Sequence, residues 1–462
     1  MQVVYERCCG LDVHKKMVVA CLSITSATGQ RSKEIRTFGT MTADLLQLLD
    51  WLTGAACTHV ALESTGVFWK PIFNLLESHV EVLLVNAQHI KAVPGRKTDI
   101  KDAEWIADLL QHGLLRPSFI PPAPQRDLRE LTRYRASLVA DRARLVNRLQ
   151  KVLEDTNLKL ASVATDITGV SARAILHALL AGKTDPATLA ELARGRLRRK
   201  QEQLAQALVG TLQNHHRFLL THQLALLEVF DRQIADFDCQ IASRISQDDD
   251  SVQDDDLVEE DPSAPAAQPI EAPSSSPVLS TATEELPHPE VKCQGLQGFA
   301  SSIRRLDAIP GVNQRIAQVV LAEVGVDMSH FPSAGHLASW AGLCPGNEIS
   351  AGKRLSSKAG KGNRWLRQAL VEAAHGAAHS KGTFLGEQYR RLSTRLGRKK
   401  AVIAVAHSIL VIIYHLLNRP QDYFELGSHF LNEKEQEALK RRAVRRLEQL
   451  GYQVILHDPQ VA

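Results

Sequence analysis

"CCGLDVHKKMVVACLSI", residues 8–24, alternates apolar positions on either side of a polar break at His14–Lys16. A period of two interrupted by a short turn reads as two antiparallel strands. Working outward, "KEIRTFGT" is a candidate third strand and "MTADLLQLLDWLTG" a helix. "THVALEST" and "VEVLLVNA" are apolar runs of strand length, with a helix over Trp69–Ser78 between them. A helix from Asp99 to Leu110 closes the unit. Leading strands followed by strands alternating with helices predict an α/β unit with a mixed sheet.

The whole chain has 462 residues, long enough for two or three domains with cores of their own. Its 44% hydrophobic and 23% charged content is that of an ordinary globular protein. The seven cysteines form no C-x-x-C pair, so neither a zinc site nor a disulfide framework is indicated, and a reducing compartment fits. "MQVVYERCCG" does not read as a signal peptide. "AVIAVAHSILVIIYHLL" is interrupted by His407, Ser408 and His415, and reads as a buried helix rather than a membrane span. The net charge of +4 hides an asymmetry: residues 247–290 hold thirteen of the 51 acids and none of the 55 bases. The remainder is basic enough to suggest a polyanionic partner such as DNA or RNA, against the plainer reading of a solvated surface.

Residues 126–160 predict one long helix, with Leu131, Leu138, Leu145 and Val152 at heptad spacing. Arg126, Arg129, Arg133, Arg135, Arg142, Arg144, Arg148 and Lys151 crowd it. A second long helix is expected near 198–245, with Leu220, Leu227, Ile234 and Ile241 in the same spacing and short helices over 166–193 in between. The two long helices can pair as a coiled coil within the chain or between chains. Residues 246–295 are rich in Asp, Glu, Pro, Ser and Ala and read as an acidic disordered linker. The expected division is 1–122, 123–245, 246–295, a helical domain over 296–425, and a basic helical tail over 426–462.

Asp12 stands at the end of the first strand and Glu63 at the end of an apolar strand entering a turn. Asp99 and Asp102, three apart, share a helix face. Each has a plain structural reading, as turn cap, strand end, N-cap or first-turn acid. Four carboxylates on elements able to converge repel one another, and divalent cations relieve that repulsion. Magnesium favours such oxygens and can activate a nucleophile in phosphodiester cleavage. His14 is a further candidate in the turn, and Asp108 reads as an ordinary helix acid.

Downstream, "LDAIPGVNQRIAQVVLAEVG" reads as helix–turn–helix about Pro310–Gly311. It resembles a helix-hairpin-helix, whose turn amides hold a phosphate backbone, although Asn313 stands where a second glycine is common. A plain helical hairpin has the same spacing. Pro345–Asn363 then forms a Gly-, Ser- and Lys-rich segment opening a helix. Lys353, Arg354, Lys358, Lys361, Arg364 and Arg367 surround Ser350, Ser356 and Ser357 there, a composition suited to holding phosphates. A serine in this setting can attack phosphorus, or be only a turn former.

Together "GLDVHKK", "ALESTG", "KTDIKDAEWIADLL", "IPGV" and "SAGKRLSSKAGKGNRWLRQAL" resemble, in identity and order, the DEDD transposases of the IS-one-ten insertion-sequence family, the bridge-RNA-guided recombinases. The resemblance covers nearly the whole chain except the acidic linker, which is longer than the family usually carries. It implies a RuvC-like domain of the RNase H type, long coiled-coil helices serving assembly, and a helical transposase domain. It implies a magnesium-binding tetrad of Asp12, Glu63, Asp99 and Asp102. The family's S-x-G serine falls on Ser350, with Ser356 and Ser357 close by, and becomes covalently joined to a DNA end. Arg129, Arg133, Arg142 and Arg148, with the six cations of the serine segment, are the expected nucleic-acid contacts. Donor and target DNA, a noncoding bridge RNA and a homo-oligomer, dimer or tetramer, are the implied partners. The implied place is the prokaryotic cytoplasm, on the nucleoid when DNA is bound, with no membrane association. Two rival readings remain: a RuvC-like junction endonuclease without a serine intermediate, and a noncatalytic nucleic-acid-binding scaffold.

Overall fold

The computed structural model describes residues 2–26, 28–63, 66–86, 99–250, 296–345, 348–350, 353–356, 360, 362–419, 421–449 and 453–454. Side chains at 99–100, 247–250, 348–350, 353–356 and 432–439 are outside that description. So are most of the expected acidic linker, Ser357, Lys358 and Lys361. The chain divides into two compact units, Met1–Pro121 and Pro122–Ala462.

The first unit is a five-stranded mixed sheet, consistent with the expected domain of the RNase H type. Strands β1 (Arg7–Val13), β2 (Met17–Thr25) and β3 (Arg31–Gly39) run antiparallel in sequence. Helix α1 (Thr42–Gly54) leads to β4 (His59–Glu63), and α2 (Trp69–Leu76) to β5 (Glu81–Val85). The spatial order is β3-β2-β1-β4-β5, with β1, β4 and β5 parallel. Helix α3 (Asp99–Gln111) completes the unit. The edge strand β3 is exposed along most of its length and carries Arg31, Lys33, Glu34 and Arg36, charges that discourage pairing with another chain.

Alternation sorts the strand residues onto two faces. Cys9, Leu11, Val60 and Leu62 pack under Leu45, Leu48 and Leu52 of α1 and Ile72 and Leu76 of α2. Cys8, Ala61, Leu83 and Val85 meet Ile106 and Leu110 of α3, while Val19 and Cys21 meet Ala103 and Ala107. Burial pushes the Cys8 thiol up to about 12 and Cys57 to about 11, so both stay protonated and act as small apolar side chains. Far from its N-terminus, α3 is tied to the sheet by polar contacts. Buried Gln111 accepts from Ser23 Oγ at 3.2 Å and donates to Thr25 Oγ1 at 2.6 Å. Asp108 pairs with Arg31 and with Lys33 Nζ.

Gly10 sets how closely α3 can lie on the sheet. A Cβ there would come within 2.4 Å of both Ala103 O and Ala107 N, backbone atoms that cannot swing aside. Gly10→Ala must therefore lift or tilt α3. The expected cost is about 1–3 kcal/mol of overpacking, read as a lower melting temperature together with lost activity. Unchanged melting would show that α3 has room to move.

In the second unit, α4 (Ala123–Asp155) pairs antiparallel with the later helix α9 (Asn214–Asp250) of the same chain. Polar rungs mark the pairing. Arg244 Nη1 lies 3.0 Å from Asp127, Arg135 Nη1 2.8 Å from Asp238, and His216 Nε2 3.0 Å from Asp155. The excursion between them holds α5 (Leu160–Val163), α6 (Val170–Leu180), α7 (Pro186–Ala190), a 3-10 turn (Gly195–Lys200) and α8 (Gln201–Ala207). Leu149, Leu153, Ile175, Leu176, Leu204, Leu220 and Leu227 belong to its shared core.

The second long helix starts at Asn214, not near residue 198 as the sequence suggested. The chain must first pass close to the end of α4. Thr211 N donates to Thr156 O at 2.9 Å, and a Cβ on Gly210 would sit 2.5 Å from that oxygen. A helix running straight through 208–213 cannot make that crossing.

The remaining helices are α10 (Phe299–Asp307), α11 (Gln314–Val324), α12 (Ala334–Trp340), α13 (Arg364–His379), α14 (Phe384–Leu396), α15 (Arg398–Asn418) and α16 (Phe430–Gln449). Strands β6 (Glu348–Ser350) and β7 (Lys353–Ser356) form a hairpin before α13. Among the described residues, α15 alone is long and apolar enough to cross a membrane by composition. Its residues Ala401, Val405, Ile409 and Ile413 are buried, and the helix packs against α12, α13 and α14.

Candidate functional site

β1 and β4 pair in parallel up to Leu11 opposite Leu62, so Asp12 and Glu63 follow side by side at the C-terminal strand ends. Neighbouring strands lie about 4.8 Å apart. Asp12 shares the face of Gly10, and Glu63 that of Ala61, so both occupy the face covered by α3. β1 runs from Cys8, near Ala107 O, through Gly10, under Ala103 and Ala107, toward Asp12. Asp12 therefore lies toward the end of α3 that begins with Asp99 and Asp102. Position 99 is on the helical stripe of Ala103, Ile106 and Leu110, and Asp102, half-buried, is on its flank.

Asp12 is only 8% exposed, and its Oδ2 lies 3.1 Å from His14 Nε2. Asp12 and Glu63 thus stand in register beneath the start of the helix that carries Asp99 and Asp102, and carboxylate oxygens are the donors a hard divalent cation takes. Among the described side chains, Asp12, Glu63 and Asp102 do not bring three ligand atoms within 4.8 Å of one another. His14 can hold the orientation of the Asp12 carboxylate from the turn.

In the second unit the serine segment leaves and returns through one narrow neck. Ideal Cβ atoms on Gly362 and Gly342 would lie 2.2 Å and 2.8 Å from the other's backbone nitrogen, so the two strands of the neck touch backbone to backbone. Asn363 N donates to Trp340 O at 3.2 Å, closing the base. The Asn363 side chain caps α13, its Oδ1 accepting from Trp365 N at 3.0 Å and Leu366 N at 3.2 Å. Beyond the neck, Ser350 pairs with Lys353 across the turn end of the hairpin, and Ser356 with Glu348 at its root. The backbone thus separates the two serines along the hairpin.

At the helix-hairpin-helix-like turn Asn313 is extended, and its Oδ1 caps α11 by accepting from Ile316 N at 2.9 Å. Gly311 has φ +89°, and a Cβ there would lie 2.2 Å from Ala373 O, so this turn is packed against α13.

Most of the arginine charge on α4 is answered within the chain. Arg129 donates to Ala322 O and Glu323 O, and Arg133 grips Glu323 with both Nε (2.6 Å) and Nη2 (2.8 Å). Arg142 pairs with Asp231, and 3%-exposed Arg135 with Asp238 and Gln318. Arg148 is exposed and forms no ion pair among the described residues. Lys353 and Arg354 lie on β7, Arg364 stacks on Trp365 at 4.4 Å, and Arg367 is half-buried.

Sequence reasoning missed the 3-10 turn. Arg194, Arg196, Arg198, Arg199 and Lys200 are all exposed and make no ion pair among the described residues. Arg194, Arg196 and Lys200 line an open cavity with Ser171 and Gly169 at the start of α6. The signal in the sequence is the dense run "ARGRLRRK" itself, which carries no heptad spacing.

Residues 9–158 match a family model described as transposase, of the DEDD type of IS110 elements. Residues 303–390 match one described as transposase of the IS116/IS110/IS902 family. Over 89 residues the chain is 39% identical to an insertion element IS116 protein of Streptomyces clavuligerus, covering 16% of this chain and 22% of that one. Over 116 residues it is 32% identical to an insertion element IS110 protein of Streptomyces coelicolor, covering 24% and 28%. Over 138 residues it is 33% identical to a pilin gene-inverting protein of Moraxella lacunata, covering 29% and 42%. Each alignment spans less than half of the relative's length. With one family model over the carboxylate unit and a second over the helices flanking the serine hairpin, the chain belongs to the IS110 family of transposases.

Proposed function

We propose that this chain is a recombinase that cleaves and exchanges DNA strands at the ends of its own insertion sequence. The observation that carries this reading is the register of Asp12 and Glu63 at adjacent parallel strand ends beneath the start of α3. Asp12, Glu63, Asp99 and Asp102 hold magnesium, which when bound stabilises negative charge on the reacting phosphate. In this reading residues 1–122 are the RuvC-like nuclease domain and 123–245 a coiled-coil assembly domain. Residues 246–295 are a linker, 296–425 the transposase domain and 426–462 a basic tail.

Ser350 is the nucleophile. Its Oγ bonds to phosphorus as the bond from phosphorus to a deoxyribose oxygen breaks; the serine gives up its proton and the departing oxygen gains one. A phosphodiester to serine conserves the bond that strand joining later needs, so rejoining requires no external energy source. A noncoding bridge RNA pairs with donor and target DNA and selects the sites. The unpaired cations of the 3-10 turn, Arg148 and the cations of the serine segment hold nucleic-acid backbone. The working form is a homo-oligomer, dimer or tetramer, in the prokaryotic cytoplasm.

A denaturing gel tests the reading on the full chain with element-end DNA and the adjoining noncoding RNA. The expected result is protein joined to a DNA end, lost on chelation of magnesium. Cut DNA free of protein would instead make the chain a junction endonuclease acting through its carboxylates. No cleavage with or without magnesium, but stable DNA binding, would leave a noncatalytic scaffold.

A further inference from the structure

Glu323, next to last in α11, is a fully buried carboxylate at the meeting point of three elements. Arg133 of α4 holds both its oxygens, and Arg129 Nε lies 3.3 Å from Oε2. The same Oε2 accepts from Asn363 Nδ2 at 2.6 Å. Asn363 is thus used three times: its amide N–H closes the serine-loop neck on Trp340, its Oδ1 caps α13, and its Nδ2 reaches Glu323. The Gly342–Gly362 contact beside it brings the outgoing and returning chain together.

A buried ion pair adds little net stability compared with apolar packing of the same volume, because both charges must be desolvated. What it does supply is strict geometry, since Arg133 and Asn363 each meet Glu323 in one arrangement of donor and acceptor. We propose that Glu323 and Asn363 are a positioning pair for the serine loop. They fix its base to α4 and so set where the hairpin carrying Ser350 is presented to the scissile phosphate. This rests on the reading of Ser350 as nucleophile.

Three variants of the full chain test the proposal. Asn363→Ser keeps a capping oxygen but loses the donor to Glu323. Asn363→Asp keeps the cap and sets carboxylate against carboxylate. Glu323→Gln combined with Asn363→Asp restores a hydrogen bond between 323 and 363 and keeps one carboxylate near the arginines, but the introduced amide nitrogen at 323, which donates to the introduced carboxylate at 363, replaces the oxygen that accepted from Arg133 Nη2. At saturating element-end DNA, both single variants are expected to form the protein–DNA adduct at least tenfold more slowly. DNA affinity should stay within twofold of wild type, and the double variant should regain part of the rate lost by Asn363→Asp. Amide exchange over 348–356 should quicken in the single variants and slow again in the double. Wild-type rates and exchange in Asn363→Ser would overturn the proposal, and so would a double variant no better than Asn363→Asp. If Ser350→Ala still forms adducts, the nucleophile reading fails while the exchange data still decide whether the pair fixes the loop.

Discussion

Asp12→Asn is expected to reduce DNA strand cleavage by at least about a thousandfold, a loss of about 4 kcal/mol of transition-state stabilisation. The substitution is nearly isosteric, so Asp12 can be replaced without opening a void between β1 and α3. What changes is charge: an amide oxygen is a weak ligand for a hard divalent cation, and its NH2 group repels one. Because the carboxylate is nearly buried and in register with Glu63, water cannot simply take its place. DNA binding, which the proposed function assigns to the basic surfaces of the second unit, should persist. The check is a cleavage assay beside a binding titration at fixed salt. Cleavage within tenfold of wild type would remove Asp12 from the metal set, and with it the reason for treating the strand ends as a site.

Ser350→Ala is expected to eliminate the covalent protein–DNA species altogether, whereas Ser356→Ala and Ser357→Ala retain it. The hairpin register is the physical basis. Ser350 lies at the turn end, in register with Lys353, and Ser356 at the root, in register with Glu348, so the two serines occupy opposite ends of the hairpin. Mass spectrometry of the nuclease-digested adduct identifies the modified residue. Phosphate-linked nucleotide on Ser356 or Ser357 would move the nucleophile and keep the chemistry. Adduct persisting in all three variants would place it outside the segment.

The sheet was legible because its signals are local. The alternation around His14–Lys16 is itself the β1–β2 hairpin, and the apolar runs ending in Glu63 and Val85 are the parallel strands. The pairing of β1 with β4, which makes Asp12 and Glu63 neighbours, is a contact between residues about fifty apart. Residue types could suggest it but only the register states it. Gly10 was equally silent in sequence, since a glycine two residues before an aspartate does not announce a helix resting on it. The arginines of α4 mark the opposite limit. Their density is plain in the sequence, but the acids that engage Arg133, Arg135 and Arg142 lie on α9 and α11, far along the chain. Surface charge cannot be read from one helix when its partners are unknown. The start of α9 was misplaced for a related reason, because the contact of Gly210 with Thr156 breaks a helix that local propensity would continue.

The antiparallel pairing of α4 with α9 makes the stretch between them a ruler. The chain goes out along 33 residues, about 50 Å, and comes back alongside, so its departure and return share one base. Reach and chemistry are then separate variables. Removing one heptad from each helix shortens the reach by about 10 Å and preserves the phase of the buried leucines. A chain shortened by one whole heptad in each helix is therefore expected to keep its paired leucines in register while the excursion at the far end moves in.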